Sequence, residues 1–297
     1  MKPAHLIILL AMNFFWAGVY SAYKIMGDGI ATGGIVTLRF GLAGLALLIV
    51  WRWLPGCAPR GRDLLATCSM GVVLVVLGQR LQVYGNQLGT AGNSSVLMAV
   101  EPLITSVAAA MFLREHIGPQ RLAGFGLGML GVVLLNGAWR SDFQWTGLAP
   151  SLIFISSFVC EAAGSVIGKP IVARAGVMKM LAIALLAGTA VNLLIDGRTT
   201  LRAAATLSPL AWCLLAGLAV ICTAIGYSVW FIVIRECPVN VAALTIFSQA
   251  VFGVFLARLW VGEKLHWGQL LGGLAIVAGL VVGLSRQIQR PASATTA

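Results

Sequence analysis

Apolar residues fall in long uncharged runs separated by short polar turns, and this alternation persists from the first residues to about position 285. The runs predict helices at 5–26, 31–51, 64–84, 94–113, 121–138, 146–168, 179–195, 208–234, 239–260 and 267–285. Each is close to the ~20 apolar residues that a helix needs to cross the hydrocarbon core of a bilayer. The intervening stretches carry the turn chemistry: "GDGIATGG", "LPGCAPRGRD", "REHIGPQ", "RSDFQW", "DGRTT" and "ECPVN". Barrel strands are excluded, because the runs are too long and show no alternation of apolar and polar positions. Lipid offers no partner to backbone N–H and C=O groups, so the spans must be α-helices.

Composition sharpens this reading. The 297 residues are 59% apolar and 10% charged, with a mean hydropathy of +0.95. A soluble domain carries about 25% charged residues. The chain is therefore read as an all-α polytopic membrane protein whose first partner is the lipid bilayer. The net charge of +11 does not indicate nucleic acid, because the basic residues stand singly between apolar runs. Their distribution fits topology control instead. With the N-terminus inside, the inner segments hold twelve Lys and Arg (Lys2, Arg52, Arg60, Arg62, Arg114, Arg121, Lys169, Arg174, Lys179, Arg235, Arg286, Arg290), and the outer ones four (Arg140, Arg198, Arg202, Lys264). That bias places both termini in the cytoplasm; a bacterial inner membrane is the expected location. The start, "MKPAHLIILLAMNFFWAGVYSAYK", resembles a signal peptide but is followed by no small-residue cleavage site, and is read as a retained first span. The six cysteines are scattered, without a CxxC or a His/Cys cluster. No metal, disulfide framework or cofactor is expected.

The chain also repeats itself. A shift of 148 positions places Glu115 on Glu263, Leu122 on Leu270, Gly124 on Gly272 and Gly131 on Gly279. A shift of 145 places "WAGVYSAYK" over "EAAGSVIGK". Each copy holds five spans, an odd number, so the second lies inverted in the membrane. The boundaries read as 1–138 for the first repeat, 139–285 for the second and 286–297 for a disordered cytoplasmic tail. Inverted repeats are the architecture of many secondary transporters, whose substrate site lies between the halves near mid-membrane.

The motifs of the two copies resemble a known family. "EPLITSVAAAMFLREHIG" followed by the glycine-rich "GMLGVVLL", and "LARLWVGEKLHWGQLLGGLAIVAGLVV" in the second half, are similar to the EamA repeat of the drug/metabolite transporter superfamily. "FFWAGVYSAYK" and "LRFGLAGLALL" resemble its first two spans, with Trp16-Ala17-Gly18 standing where members often have Trp-Gly. The resemblance covers nearly the whole chain. It implies ten helices in two inverted five-helix repeats around a central cavity, and export of small metabolites. Within the superfamily, overall similarity points to the exporters of aromatic amino acids.

Polar groups inside the spans mark the candidate site, because an ionisable residue at bilayer depth usually faces a cavity. Helical spacing gathers them on single faces: Asn13, Trp16 and Tyr20; Gln79 and Gln82; Ser94, Met98 and Glu101; Ser157, Glu161 and Ser165; Tyr227 and Trp230; Thr245, Ser248, Gln249 and Phe252. The repeat superposes Gln79 and Gln82 on Tyr227 and Trp230, and Glu101 on Gln249. Spans 1, 3, 4, 6, 8 and 9 are therefore expected to enclose the cavity, while spans 2, 5, 7 and 10 offer little apart from Arg39. Asn13, Trp16, Tyr20, Gln79, Gln82, Met98, Glu101, Glu161, Tyr227, Trp230, Ser248, Gln249 and Phe252 form the candidate substrate-binding set, and Pro102 is expected to bend span 4. The amides also suit plain interhelical hydrogen bonding, and the aromatic groups plain packing. Glu101 suits a substrate ammonium, a proton, or pairing with a base such as Arg80. Glu115 and Glu263 read as structural loop carboxylates.

An exporter of amino acids with aromatic or other apolar side chains, working by alternating access, fits this set best. Threonine, a polyamine or a toxic amphiphile are alternative cargoes, and the carboxylates leave proton coupling open. Phosphorylated cargoes would need a cluster of Lys or Arg. A membrane-embedded enzyme would need a nucleophile–base pair or a metal set, and the three histidines lie near span ends or in loops, unpaired with Asp or Cys at ligand spacing.

Overall fold

A computed structural model of the chain describes residues 1–26, 31–88, 97–141, 145, 147–261 and 267–288. Every regular element among them is helical, and the helices make ten passes. In the first half, α1 comprises Pro3–Ala17 and, after a break at Gly18, Val19–Met26; α2 is Thr32–Ile49; α3 joins Arg62–Gly71, Val72–Gly78 and Gln79–Leu88; α4 joins Met98–Val100 and Glu101–Leu113; α5 is Pro119–Leu135. In the second half, α6 is Leu148–Val172; α7 is Val177–Thr206; α8 joins Pro209–Gly217, Leu218–Ile225 and Gly226–Glu236; α9 joins Val239–Leu244, Thr245–Phe247 and Ser248–Val261; α10 is Trp267–Ile288. Seven passes are long and apolar enough to cross a bilayer by length and composition, and the other three contain the shorter apolar helices Pro3–Ala17, Met98–Leu113 and Pro119–Leu135. Ile49, Leu148 and Leu194 are among many large apolar side chains left exposed on the outside of the bundle, a surface suited to lipid rather than water.

The helices meet the expected bounds to within a few residues, with one clear departure. The "DGRTT" segment is helical, and α7 continues to Thr206. Only Asp196 leaves helical geometry, at φ −140° and ψ 21°. Its carboxylate is held by Arg80 Nη2 at 2.5 Å and by Thr200 Oγ1 at 3.4 Å, so the helix kinks there and resumes.

The two halves meet around an approximate twofold relation. α5 packs on α10 and α2 on α7, and the pairs α3–α6 and α4–α6 have counterparts in α8–α1 and α9–α1. The α5–α10 contact shows the relation most directly. A Cβ on Gly124 would lie 2.8 Å from the Gly279 carbonyl oxygen, and one on Gly131 would lie 2.7 Å from that of Gly272. Gly124 and Gly131 are the repeat equivalents of Gly272 and Gly279, so residue i of one half meets residue j of the other and j meets i. That reciprocity is the mark of a twofold contact. Small residues permit it by letting the backbones touch.

Besides the breaks at Gly18 and Asp196, four passes contain π-helical or 3-10 stretches, and these also come in repeat-related pairs. α3 and α8 each have a π-helical stretch, Val72–Gly78 and Leu218–Ile225. α4 and α9 each have a 3-10 turn, Met98–Val100 and Thr245–Phe247. The turn in α4 follows from Pro102. An α-helix would bring the N–H of residue 102 to the Met98 carbonyl, and proline has none. The N–H of Glu101 bonds that carbonyl instead, the one-residue-shorter 3-10 link.

At the end of the bundle where α1 begins and α8 ends, ion pairs tie one half to the other. Lys2 Nζ lies 2.7 Å from Glu236, Lys169 Nζ 2.7 Å from Glu115 and Arg174 Nη2 2.7 Å from Asp63. Glu115 also accepts from the backbone N–H of Val239 and Asn240 at the start of α9 and from Asn240 Nδ2. Its structural role agrees with the sequence reading. Glu263 lies outside the described residues.

Two stability outcomes follow. Gly131→Ala drives a methyl group into the backbone of α10 and should cost about 1–3 kcal/mol, whereas Gly126→Ala in the same helix meets nothing within 4 Å and should leave thermal unfolding in detergent unchanged. Glu115→Ala strips the acceptor from Lys169 and two helix N–H groups, and should destabilise by about 3–5 kcal/mol. Lys2→Ala removes a side chain that is 71% exposed and should cost no more than about 1 kcal/mol.

Candidate functional site: a cavity between the repeats

The irregular segments border a central cavity lined by both repeats. α1 contributes Trp16 and Val19; α3 contributes Leu74, Gln79 and Gln82; α4 contributes Met98, Glu101 and Thr105. From the second half come Glu161 and Ser165 of α6, Tyr227, Trp230 and Phe231 of α8, and Ile246 and Gln249 of α9. Arg39 of α2 completes the lining.

Nine of the candidate residues therefore share one cavity: Trp16, Gln79, Gln82, Met98, Glu101, Glu161, Tyr227, Trp230 and Gln249. Leu74 lies within the π-helical stretch of α3, and the other lining residues of α3 and α8 follow the two stretches, which re-aim the side chains after them. π-Bulges are frequent at functional sites.

Other candidates lie elsewhere. Asn13 is fully buried between α1 and α9, donating to the Thr245 carbonyl at 2.9 Å and to Thr245 Oγ1 at 3.1 Å, and accepting from Gln249 Nε2 at 3.0 Å. All of its polar atoms serve helix–helix contact. Ser248 turns back to the Thr245 carbonyl at 2.7 Å, and Phe252 packs edge-on against Phe14 at 5.5 Å between centroids. All three lie on regular helix, Asn13 with Trp16 in Pro3–Ala17 and Ser248 and Phe252 with Gln249 in Ser248–Val261, so helical spacing gives a shared face but neither the depth nor the partner of each side chain. The side chain of Tyr20 lies outside the described residues, as does Ser94. Pro102 is buried at the start of the α-helical part of α4, and its carbonyl accepts from Ser106 Oγ at 2.7 Å.

The pairing of Glu101 with Arg80 is overturned. Arg80 binds Asn192 Oδ1 at 2.6 Å and Asp196 on α7. Glu101 has no hydrogen-bond or ion-pair partner among the described residues. Glu161 is held by neutral donors: Gln79 Nε2 at 2.5 Å and the Tyr227 hydroxyl at 3.3 Å. Among the described residues, two carboxylates thus line the cavity without a basic partner.

The aromatic wall is built so that its polar edges are already used. Trp16 Nε1 donates to the Cys222 carbonyl at 2.7 Å, and Trp230 Nε1 donates to Ser165 Oγ at 3.0 Å. The Trp16 ring lies 5.8 Å from that of Tyr227 and 6.5 Å from that of Trp230. What remains for a guest is ring surface.

Sequence reasoning missed Arg39 as a lining group, along with Thr105 and the apolar residues Val19, Leu74, Phe231 and Ile246. A lone arginine in the middle of an apolar span was the available signal. The apolar residues carried none, because leucine or isoleucine in a membrane helix reads the same against lipid, protein or a cavity.

Comparison with known proteins agrees with this architecture. The EamA-like transporter family matches the chain twice, over residues 3–137 and 148–284. A probable terminal-alkyne amino-acid exporter from Streptantibioticus cattleyicolor is 26% identical over 286 residues, covering 95% of this chain and 93% of that protein. A probable amino-acid metabolite efflux pump from Salmonella typhimurium is 25% identical over 203 residues, covering 65% of this chain and 67% of that protein. A crystal structure that is 16% identical aligns with a TM-score of 0.79, covering 95% of this chain and 99% of the other, and so shares the fold. With both halves of its length matched, the chain belongs to the EamA-like transporter family.

Proposed function

We propose that this transporter exports amino acids with aromatic or other apolar side chains across a cell inner membrane, by alternating access of one cavity. The cavity between the repeats carries this reading: an aromatic wall whose N–H groups are already spent, faced by two carboxylates that no described basic residue pairs. The wall suits an apolar side chain. A carboxylate suits the ammonium that every amino acid carries at neutral pH. The names of the relatives, an amino-acid exporter and an amino-acid metabolite efflux pump, point the same way. The repeats 1–138 and 139–285 are taken as the two bodies that rock about the cavity, with both termini cytoplasmic. The ion pairs between halves at the end where α1 begins then close the cavity toward the cytoplasm.

The unpaired carboxylates also favour a second reading, a polyamine or a cationic amphiphile, which would need no carboxylate receptor. Efflux of radiolabelled tryptophan, phenylalanine, threonine and spermidine from proteoliposomes, with and without a proton gradient, separates the two. The expected result is faster release of tryptophan and phenylalanine than of threonine or spermidine, reduced at least tenfold in Glu161→Gln. Release of spermidine alone would replace the amino-acid reading.

Access to the cavity is checked by cysteine labelling. In a background without the native cysteines, a membrane-impermeant thiol reagent added outside intact cells should label Met98→Cys and Tyr227→Cys at least tenfold faster than Val132→Cys and Leu186→Cys. Equal protection at all four positions would remove the cavity from the transport path.

A further inference from the structure

Arg39 has no role in the function as derived above, and its surroundings are unusual for an arginine within the membrane. It is 4% exposed. Nε donates to Thr223 Oγ1 at 2.8 Å and Nη1 to the Tyr23 hydroxyl at 2.5 Å. The guanidinium also lies 5.1 Å from the centroid of the Phe40 ring and 5.8 Å from that of Tyr23. These contacts fix its position and use two of the five N–H donors that a guanidinium carries. No carboxylate lies within ion-pair distance among the described residues. A buried charge without a counter-ion is strongly unfavourable. Yet α2 packs this one into the bundle and brings it to the cavity wall.

Its place in the cavity is defined through its neighbours. Thr223 and Cys222 are adjacent in the π-helical stretch of α8, and Cys222 O holds Trp16. Phe40, next to Arg39, lies 6.2 Å from the ring of Tyr227, whose hydroxyl donates to Glu161. Arg39 and Glu161 thus flank Tyr227 and the Trp16 wall without pairing with each other. A fixed cation and a fixed carboxylate, each without an ionic partner and both on one small cavity, are complementary to the two charges of a zwitterion.

We infer that Arg39 is the receptor for the α-carboxylate of the transported amino acid, with Glu161 taking the α-ammonium across the cavity. This inference rests on the amino-acid reading. The open edge of the guanidinium can hold a carboxylate through two parallel N–H···O bonds, the strongest geometry available to either group. Binding would supply the counter-ion that the protein withholds. The cavity would then refuse amines that lack a carboxylate, since each would leave Arg39 buried and unpaired.

The test is inhibition of L-[3H]phenylalanine uptake into proteoliposomes by three unlabelled probes: L-phenylalanine, L-phenylalaninamide and phenethylamine. The first has a carboxylate; the other two keep the ring and the ammonium. Wild-type protein should prefer phenylalanine by at least tenfold, about 1.4 kcal/mol. Arg39→Gln should bring that preference close to unity by raising the KM for phenylalanine, with the inhibition by phenethylamine kept. Arg39→Lys, which retains a charge but loses the planar fork, should keep the sign of the preference at a reduced size. Equal loss of all three probes in Arg39→Gln would make Arg39 a structural residue and overturn the inference. So would a wild-type protein indifferent to the carboxylate. Should Arg39→Gln fail to fold, Thr223→Val takes its place, since it loosens Nε while keeping the charge. A reduced preference is expected there, and an unaltered one would overturn the inference. If wild-type protein moves spermidine and no amino acid, the amino-acid reading falls and takes this inference with it. If it moves phenylalanine without regard to the carboxylate, the inference alone falls.

Discussion

A bilayer interior has no water to satisfy a backbone N–H or C=O group, and this one constraint decides where the chain can depart from an α-helix. Irregular backbone at membrane depth is tolerated only inside protein or beside a wet cavity. The π-helical stretches of α3 and α8 and the 3-10 turns of α4 and α9 belong to passes that all line the central cavity. α2, α5 and α10 are regular, and α7 is broken at Asp196, where its carboxylate is held by Arg80. The carbonyl of Cys222, within a π-helical stretch, accepts from Trp16, and Thr223 beside it accepts from Arg39. Irregular backbone thus supplies the anchors that hold the wall of the site.

The division between scaffold and site follows from the inverted repeat. Where α5 meets α10, small residues recur and the backbones touch, a contact that leaves no room for a guest. α3, α4, α8 and α9 bring mostly larger side chains to the cavity, while α4 and α9 also pack on each other around Ala99, Val241 and Phe247. The repeat-related positions on these passes differ in chemistry: Gln79 and Gln82 in one half correspond to Tyr227 and Trp230 in the other, and Glu101 corresponds to Gln249. A twofold scaffold therefore encloses a cavity whose repeat-related positions are chemically unlike. In the function proposed here, that asymmetry suits a molecule with two unlike ends.

Much of this is legible in the sequence. Length and polarity of the runs indicate ten passes, and the matched pairs Glu115–Glu263 and Gly124–Gly272 indicate the repeat. Polar residues at helical spacing lead to most of the lining. The failures have separate causes. Asn13, Ser248 and Phe252 do share helical spacing with cavity residues, but spacing sets a face and not the depth or the partner of a side chain. Hydropathy sees Val72–Gly78 as an apolar run ending in glycine, with nothing to distinguish a π-helix from an α-helix. "DGRTT" reads as a turn by composition, and only the tertiary partner Arg80 explains why the helix goes on. Arg39 is visible as a charge in an unexpected place, but its neighbours Tyr23 and Thr223 lie 16 and 184 residues away, beyond any local pattern.

The way the protein spends its hydrogen-bond donors bears on selectivity. Trp16 and Trp230 give their N–H groups to the protein, so the aromatic wall offers shape and ring surface but little direction. In the proposed site, directional recognition would fall to Glu161, held by Gln79 and Tyr227, to Arg39, held by Thr223 and Tyr23, and to Glu101, which no described residue holds. A wall without directed polar contacts discriminates weakly between apolar side chains, by about 1–3 kcal/mol per methylene at most. Charged groups held in a low-dielectric cavity discriminate far more strongly, since a ligand that leaves one of them unpaired forfeits the interaction and keeps the desolvation. A site of the proposed kind would be strict about the ends of its cargo and tolerant of the middle. That combination suits export of a group of related metabolites better than export of one.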